Sequence, residues 1–266
     1  MTEGRYYVNR NIDLSDKTAY IFLRGDTELI LGSGYTMSVS GLFIPEGHTL
    51  TIYNEYGGMG GLFCQSSYEG AGIGGGVQHN SGNIVIHGGA VYARGYDNDA
   101  GIGSAQYNSS SPKITIYDGE IYAYGGSYGA GIGGGDGGDG GCDGDPGTVV
   151  INDGEIMADG GSGACIGGGR RNGSDGSVTI NGGNINCSGD YQIGSGKDGA
   201  DFDVTLDYTN STISNISITS NYSCPTELSQ GFCKYVEDRE VALLSGHLQQ
   251  RSDRRRNPES LEWRGQ

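Results

Sequence analysis

A short glycine-rich phrase returns along the chain at intervals close to thirty residues. It is centred on Ile73, Ile102, Ile132, Ile166 and Ile193, so the intervals are 29, 30, 34 and 27 residues. Two copies read AGIGGG, and the others read AGIGS, ACIGGG and QIGSG. Self-similarity at a nearly constant period of this size is typical of solenoids, in which each unit contacts only its neighbours. The repeat therefore predicts a stacked fold whose functional surface extends over several units.

Each repeat also carries a second phrase, in which apolar and polar residues alternate. Its regular copies occupy Asn83–Gly95, Lys113–Gly125, Thr148–Gly160 and Ser177–Gly189, and its less regular copies occupy Thr49–Gly61 and Asp203–Asn215. A period of two indicates β-strands. A two-residue corner ending in glycine divides the phrase into two short strands, and glycine there suits a positive φ. The GIGG phrase supplies a third strand.

Three short strands per repeat predict an all-β, right-handed parallel β-helix. Stacking the repeats would align their inward Val and Ile residues into one apolar column and their outward residues into ladders. Three such ladders are expected: His87, Tyr117, Asn152 and Asn181; Gly88, Asp118, Asp153 and Gly182; and Ala90, Glu120, Glu155 and Asn184. A β-sandwich of hairpins is less favoured, because the copies are alike every thirty residues and are not mirrored in pairs.

The chain divides into three parts on this interpretation. Residues 1–48 are predicted to form N-terminal capping strands, residues 49–223 the β-helix repeats, and residues 224–266 a C-terminal cap or a disordered tail. The tail has almost no glycine, and the charge spacing of residues 234–256 is helix-like. A capping helix, a disordered tail and a junction to further sequence all remain open for it.

The net charge of −16 lies entirely in the first 223 residues, which hold 9 Lys and Arg against 25 Asp and Glu. The remaining 43 residues hold seven of each sign. An acidic surface repels phosphates, so nucleic acid and anionic membranes are not expected as partners. A cation or a neutral polar ligand such as a glycan suits this charge.

Targeting signals and cysteines add two expectations. No apolar run approaches the ~20 residues of a membrane span, and the N-terminus lacks the apolar region of a signal peptide. The chain is accordingly read as cytoplasmic as it stands or as a fragment of a longer exported protein. The six cysteines form no CxxC pair. Cys165 and Cys187 replace Gly and Ala of other copies and are predicted as small buried side chains, whereas Cys224 and Cys233 could pair.

The phrases EGRYYVNRNIDL, ELILGSGYTMSVSGLFIPEGHTLTIYNEYGGMGGL, GAGIGGG and TVVINDGEIMADGG carry a family resemblance. Over about residues 2–223, the chain resembles large secreted β-helix proteins of anaerobic gut bacteria, often labelled carbohydrate-binding-domain-containing or surface β-helix proteins. The resemblance implies an extracellular or cell-surface protein that contacts glycans or host material. The chain departs from the family in showing no export signal and no wall-anchor motif.

Tyrosine is frequent, at 18 residues against five Phe and one Trp. Tyr92 and Tyr122 occupy the same outward position in successive copies, and Tyr96 and Tyr128 lie close to the loops that follow. Exposed rings beside carboxylates suit a polysaccharide, because sugars stack their apolar faces on rings and direct their hydroxyls to polar groups. Tyrosine is also a good strand residue that packs in ladders, so a purely structural role stays open. The predicted carbohydrate-binding residues are Tyr92, Tyr96, Tyr122, Tyr128, Asp118, Glu120, Asp153 and Glu155.

An enzyme is the weaker alternative. Polygalacturonase-like chemistry needs paired aspartates, which Asp97 and Asp99 resemble, but the accompanying Gly-His-Gly and Arg-Ile-Lys motifs are missing. Glu120 and Glu155 would lie ~5 Å apart, which suits a retaining glycosidase. Any residue of a stacked repeat lies that far from its copy, however. We therefore expect a non-catalytic glycan-binding protein, with a structural stalk or adhesin segment and a polysaccharide lyase or glycosidase as the alternatives.

The loop from Gly133 to Gly147 concentrates acidic residues between glycines. Carboxylates spaced in this way can wrap a Ca²⁺ ion with oxygen ligands. The loop matches neither the EF-hand nor the Ca²⁺-binding nonapeptide repeat, so a solvated loop is the competing interpretation. The predicted ligands are Asp136, Asp139, Asp143 and Asp145. A bound Ca²⁺ would let the acidic surface hold an acidic polysaccharide.

Overall fold

The chain winds as a right-handed parallel β-helix, as the repeat predicts. The structure, a computed structural model, describes residues 1–15, 20–76, 79–107, 110, 112–138, 144–171, 175–200 and 202–207, and the backbone of four further strands at 211–214, 216–218, 241–244 and 247–249. Three strands make one turn, and these residues contain eight turns. Equivalent strands of neighbouring turns pair in parallel, which excludes the β-sandwich.

The first sheet contains the regular Val- and Ile-rich strands of the second phrase. With strands numbered along the chain, its members are β1 (Gly4–Val8), β4 (Thr27–Leu31), β7 (Thr49–Asn54), β10 (Asn83–Ile86), β13 (Lys113–Ile116), β16 (Thr148–Ile151), β19 (Gly176–Ile180) and β22 (Phe202–Leu206). The register places Ile84 opposite Ile114 and Val149 opposite Val178. These four residues are completely buried, and burying each contributes roughly 2 kcal/mol.

The second sheet follows the glycine corner of each turn. Its members are β2 (Ile12–Asp13), β5 (Thr36–Val39), β8 (Gly61–Gln65), β11 (Ala90–Arg94), β14 (Glu120–Tyr124), β17 (Glu155–Asp159), β20 (Gly183–Ser188) and β23 (Ser211–Ser214). The inward residues of β14 are Ile121 and Ala123, which are buried, whereas Tyr122 between them is exposed. This alternation confirms the predicted inward and outward faces.

The third sheet is built on the GIGG phrase. Its members are β3 (Tyr20–Phe22), β6 (Gly41–Phe43), β9 (Ile73–Gly74), β12 (Ile102–Gly103), β15 (Ile132–Gly133), β18 (Ala164–Gly167), β21 (Tyr191–Gly194), β24 (Ile216–Ile218), β25 (Val241–Leu244) and β26 (His247–Gln249). Gly133 has a φ of 135°, and a Cβ placed on it would lie 1.9 Å from the carbonyl oxygen of Gly167 in the next turn. The glycine after each column isoleucine is therefore required for neighbouring turns to approach.

The two ends of the solenoid differ from the expectation in different ways. The N-terminal segment 1–48, predicted as capping strands, contributes the first two turns of the same three sheets, and β4 pairs directly with β7. At the other end, β25 and β26 pair antiparallel with β24 and with each other. Of the three alternatives left open for the tail, a helix does not describe these two strands, which complete backbone hydrogen bonds at the open edge of β24. Cys224 and Cys233 lie outside the described residues, as does the rest of the tail.

The described residues include no helix long and apolar enough to cross a bilayer.

Candidate functional site

The corner between the first and second sheets is shaped by a column of glycines. Gly119, Gly154 and Gly183 have φ values of 129°, 112° and 94°, which other residues rarely adopt. A Cβ on Gly154 would lie 2.8 Å from the carbonyl oxygen of Gly119, and one on Gly183 would lie 2.8 Å from that of Gly154. The backbone therefore bends tightly without side chains at this position, and the flanking side chains border an open groove.

The groove has a volume of about 710 Å³ and crosses several turns of the solenoid. Its ionisable lining residues are Glu55, Tyr56, His87, Asp118, Glu120, Asp153 and Glu155. Four of them are the acidic residues that the sequence predicts for carbohydrate binding. Five carboxylates against one imidazole make the groove strongly acidic, so it favours cationic and neutral ligands over polyanions.

Hydrogen bonds position the carboxylates along this groove. Asp118 accepts a hydrogen bond through Oδ1 from the backbone N–H of Gly119 at 2.7 Å, and Asp153 accepts the equivalent bond from Gly154 at 2.8 Å. In the neighbouring ladder Glu120 pairs in register with Glu155, whose Oε2 accepts a bond of 2.9 Å from the Nδ2 of Asn184. The predicted ladders are therefore present, and they present hydrogen-bond acceptors turn after turn.

A stack of three rings borders the groove on the side of the first sheet. His87 lies between Tyr53 and Tyr117, with ring centroids 4.8 and 4.6 Å away and planes nearly parallel to its own. The ladder continues through Asn152 and Asn181, whose side chains are joined by a 3.0 Å hydrogen bond. The sequence predicted the last four members but missed Tyr53. Aligning Thr49–Asn54 with the next copy would have found it.

A second aromatic row crosses the outer face of the second sheet. Phe63, Tyr92, Tyr122 and Met157 occupy the same register position in four successive turns. The centroids of Phe63 and Tyr92 are 6.0 Å apart, and Tyr92 lies 5.5 Å from the ring of Tyr124. This row runs two residues beyond the Glu120 and Glu155 ladder on the same strands. The structure thus brings six of the eight predicted binding residues to the groove and the adjacent sheet face.

The other two predicted tyrosines lie elsewhere, and neither lines the groove. Tyr96 is 44% exposed in the loop after β11. Tyr128 is covered by Arg170, whose guanidinium carbon lies 3.7 Å from the centroid of the ring. A cation–π contact of this kind stabilises the loops, so the structure gives Tyr128 a packing role.

The carboxylate of Asp136, a predicted Ca²⁺ ligand, forms an ion pair with the same arginine. Its carboxylate is 1% exposed and accepts two hydrogen bonds from Arg170, at 3.1 and 3.0 Å. This contact raises the pKa of Arg170 above its ordinary value. Asp145 accepts a bond from the N–H of Gly147, and Asp139 and Asp143 lie outside the described residues. No group of three or more metal-ligating side chains occurs in the described part of the chain, and the Ca²⁺ site stays a prediction.

Asp99, half of the aspartate pair that resembles polygalacturonases, is 1% exposed. Its two carboxylate oxygens accept hydrogen bonds from the backbone N–H groups of Gly70 and Gln106, at 2.7 and 2.8 Å. Burial raises its pKa to about 6, and these two bonds oppose that rise. The carboxylate therefore ties neighbouring loops together and is not presented to a polymer outside.

The cysteines differ from the expectation at one point. Cys165 and Cys187 are buried as predicted, but they form a disulfide bond. Cys64 is a free, buried thiol whose pKa is raised by desolvation. Cys142 lies outside the described residues.

The comparisons with known proteins agree with the architecture. A family model described as a beta helix repeat matches residues 84–106, 114–136 and 149–170. Each matched segment covers one turn, from its strand in the first sheet to the loop that follows its strand in the third sheet. No curated protein and no solved structure matches the chain. The chain therefore has the parallel β-helix fold, and its resemblance to one bacterial surface group stays a prediction.

Proposed function

We propose that this chain is a non-catalytic protein that binds carbohydrate along the corner groove and the aromatic row beside it. The observation that carries the proposal is the register of β11, β14 and β17. Strand β14 carries both Glu120 and Tyr122, with Tyr92 beside Tyr122 on β11 and Glu155 beside Glu120 on β17. Tyr122 is 38% exposed, so a ring face is available next to the carboxylates.

The repeat distance suits an extended polymer. Equivalent side chains of neighbouring turns lie ~4.8 Å apart, a distance of the order of one sugar unit. Apolar sugar faces would stack on the rings, and sugar hydroxyls would donate to the carboxylates. A polysaccharide lying parallel to the solenoid axis would meet a tyrosine ring at β11 and β14 and a carboxylate at β14 and β17, so that weak contacts add up.

The charge of the groove restricts the polymer. A neutral polysaccharide meets no repulsion, whereas an acidic one would need a bridging cation between its carboxylates and those of the groove. Ca²⁺ is the cation suited to such oxygen ligands. The acidic polysaccharide with Ca²⁺ is therefore the finer form of the proposal. We place the protein outside the cell, where such polymers occur and where a disulfide persists.

Affinity gel electrophoresis through a panel of neutral and acidic polysaccharides tests the proposal. We expect retardation by at least one polymer, and a loss of about tenfold or more in affinity for Tyr92→Ala with Tyr122→Ala, because the stacking faces are removed. Retardation by an acidic polymer should require Ca²⁺ and disappear with EDTA.

The matched control is Tyr68→Ala with Tyr107→Ala, which removes two exposed rings that do not line the groove. It should retain full binding. Equal loss in both double variants would contradict a site at the corner. No retardation by any polymer would favour a structural stalk, and release of reducing ends or unsaturated products would identify an enzyme.

A further inference from the structure

At two interior positions of the solenoid, which lie in neighbouring turns, cysteines replace the small residues of the other repeats. The strand register makes Cys165 equivalent to Gly72, Gly101 and Gly131, which precede the column isoleucines of earlier turns. It makes Cys187 equivalent to Ala93, Ala123 and Ala158 of the second sheet. Three pairs of successive turns thus carry glycine and alanine at these positions, and the fourth pair carries two cysteines.

The glycine positions have no space for a side chain. A Cβ on Gly101 would lie 2.7 Å from the carbonyl oxygen of Gly131, and one on Gly131 would lie 2.6 Å from that of Cys165. Cys165 nevertheless bears a side chain here and is completely buried, with its Cα 5.7 Å from that of Cys187. This separation is usual for a disulfide. Two unbonded sulfur atoms need more room than a bonded pair, so the reduced form would overpack the interior.

We propose that the Cys165–Cys187 bond is an oxidation-dependent lock that holds the seventh turn, beginning with β19, on the sixth. Its formation removes one hydrogen from each thiol, and an external disulfide of the glutathione type takes up the two electrons and two protons to become two thiols. The bond joins the third sheet of one turn to the second sheet of the next. Oxidation therefore removes the overpacking and restricts the unfolded chain at the same time.

Refolding in parallel under oxidised and reduced glutathione tests the lock by hydrogen exchange. In the reduced sample we expect amide exchange in Gly183–Ser188 and Phe202–Leu206 to be about tenfold faster or more, because the last turns open locally. Exchange in Asn83–Ile86, three turns away, should be the same in both samples. Peptide mapping of the oxidised sample should recover Cys165 linked to Cys187.

Two variants separate the lock from a general effect of thiols. Cys165→Gly with Cys187→Ala restores the glycine and alanine of the other turns, so its last turns should exchange slowly in both buffers. Cys64→Ala removes the free thiol in the same column as Cys187 and should keep the redox response of the original chain. If a variant fails to fold, the difference in exchange between the oxidised and reduced samples of the original chain still tests the lock. Equal exchange of the last turns in both buffers, or two freely alkylated cysteines after oxidation, would overturn the proposal.

Discussion

The third sheet and the corner between the first two sheets differ in how strongly their residues are constrained by the stacking of the turns. In the third sheet, Gly103 and Gly133 approach the next turn so closely that an added Cβ would lie 2.0 and 1.9 Å from its carbonyl oxygen. At the corner, the residues flanking the glycines border a groove and change from turn to turn. The residues that are the same in every repeat therefore lie where the backbones of neighbouring turns are in contact. The residues that differ between repeats lie at the surface, where the side-chain chemistry can vary.

The outward ladder at the start of the second-sheet strands shows how freely the corner varies. Ala90, Glu120, Glu155 and Asn184 occupy one register position in successive turns, although they differ in size and charge. The identity of the residue at such a position is expected to have little influence on folding. The glycines of the third sheet, by contrast, are predicted to bear on folding alone.

Replacing Gly133 by alanine tests this contrast with the largest expected effect. The new methyl would meet the carbonyl oxygen of Gly167 at a φ of 135°, so the turns would have to separate. We expect a loss of about 5 kcal/mol or more in the free energy of unfolding, or failure to fold. Glu120→Ala in the same turn should change it by only about 0.5 kcal/mol, because its side chain lies at the open groove.

Chemical denaturation followed by circular dichroism measures both variants. A small cost for Gly133→Ala would mean that the turns are less tightly stacked than the structure has them. A large loss in the free energy of unfolding for Glu120→Ala would show that the corner residues also stabilise the fold, which would contradict the contrast between the two regions.

Arg170→Gln is expected to have the next largest effect, because it breaks a charge pair that joins the loops of neighbouring turns and whose carboxylate is buried. Removing the guanidinium leaves the carboxylate of Asp136 buried without its partner and uncovers Tyr128. A loss of about 4 kcal/mol is typical when one member of a buried pair is removed. Arg94→Gln, on the exposed outer face of the second sheet, is the matched control and should cost little.

A double-mutant cycle with Asp136→Asn sharpens this measurement. The second change should restore part of the stability that Arg170→Gln removes, because no charge is then left buried. Additive losses would contradict a direct pairing of the two side chains.

The sequence predicted those features that depend on the period, and it missed those that depend on single long-range contacts. Stacked isoleucines, the glycine corner and the Tyr92–Tyr122 register follow from aligning the copies. The pairing of Asp136 with Arg170 crosses 34 residues through loops of unequal length, where the repeat specifies no position. The disulfide did leave a signal, since Cys165 and Cys187 each replace a small residue in neighbouring turns. The strand β25 was missed because helix-like charge spacing does not reveal an unpaired strand edge.

The smallest of the three expected effects on stability is a pH dependence that comes from Asp99. Its carboxyl group is buried, unlike the exposed carboxyl groups of the corner. Its pKa is raised from 3.8 to about 6 by burial, so the folded state binds a proton more tightly than the unfolded state does. The resulting stabilisation is complete below about pH 4 and is lost as the pH rises through about 6. At 1.36 kcal/mol per pH unit, the shift corresponds to roughly 3 kcal/mol. In thermal unfolding, the original chain should therefore lose stability relative to Asp99→Asn, whose amide does not titrate, as the pH rises from about 4 to 6. A constant difference in stability between Asp99→Asn and the original chain across this pH range would contradict the assignment.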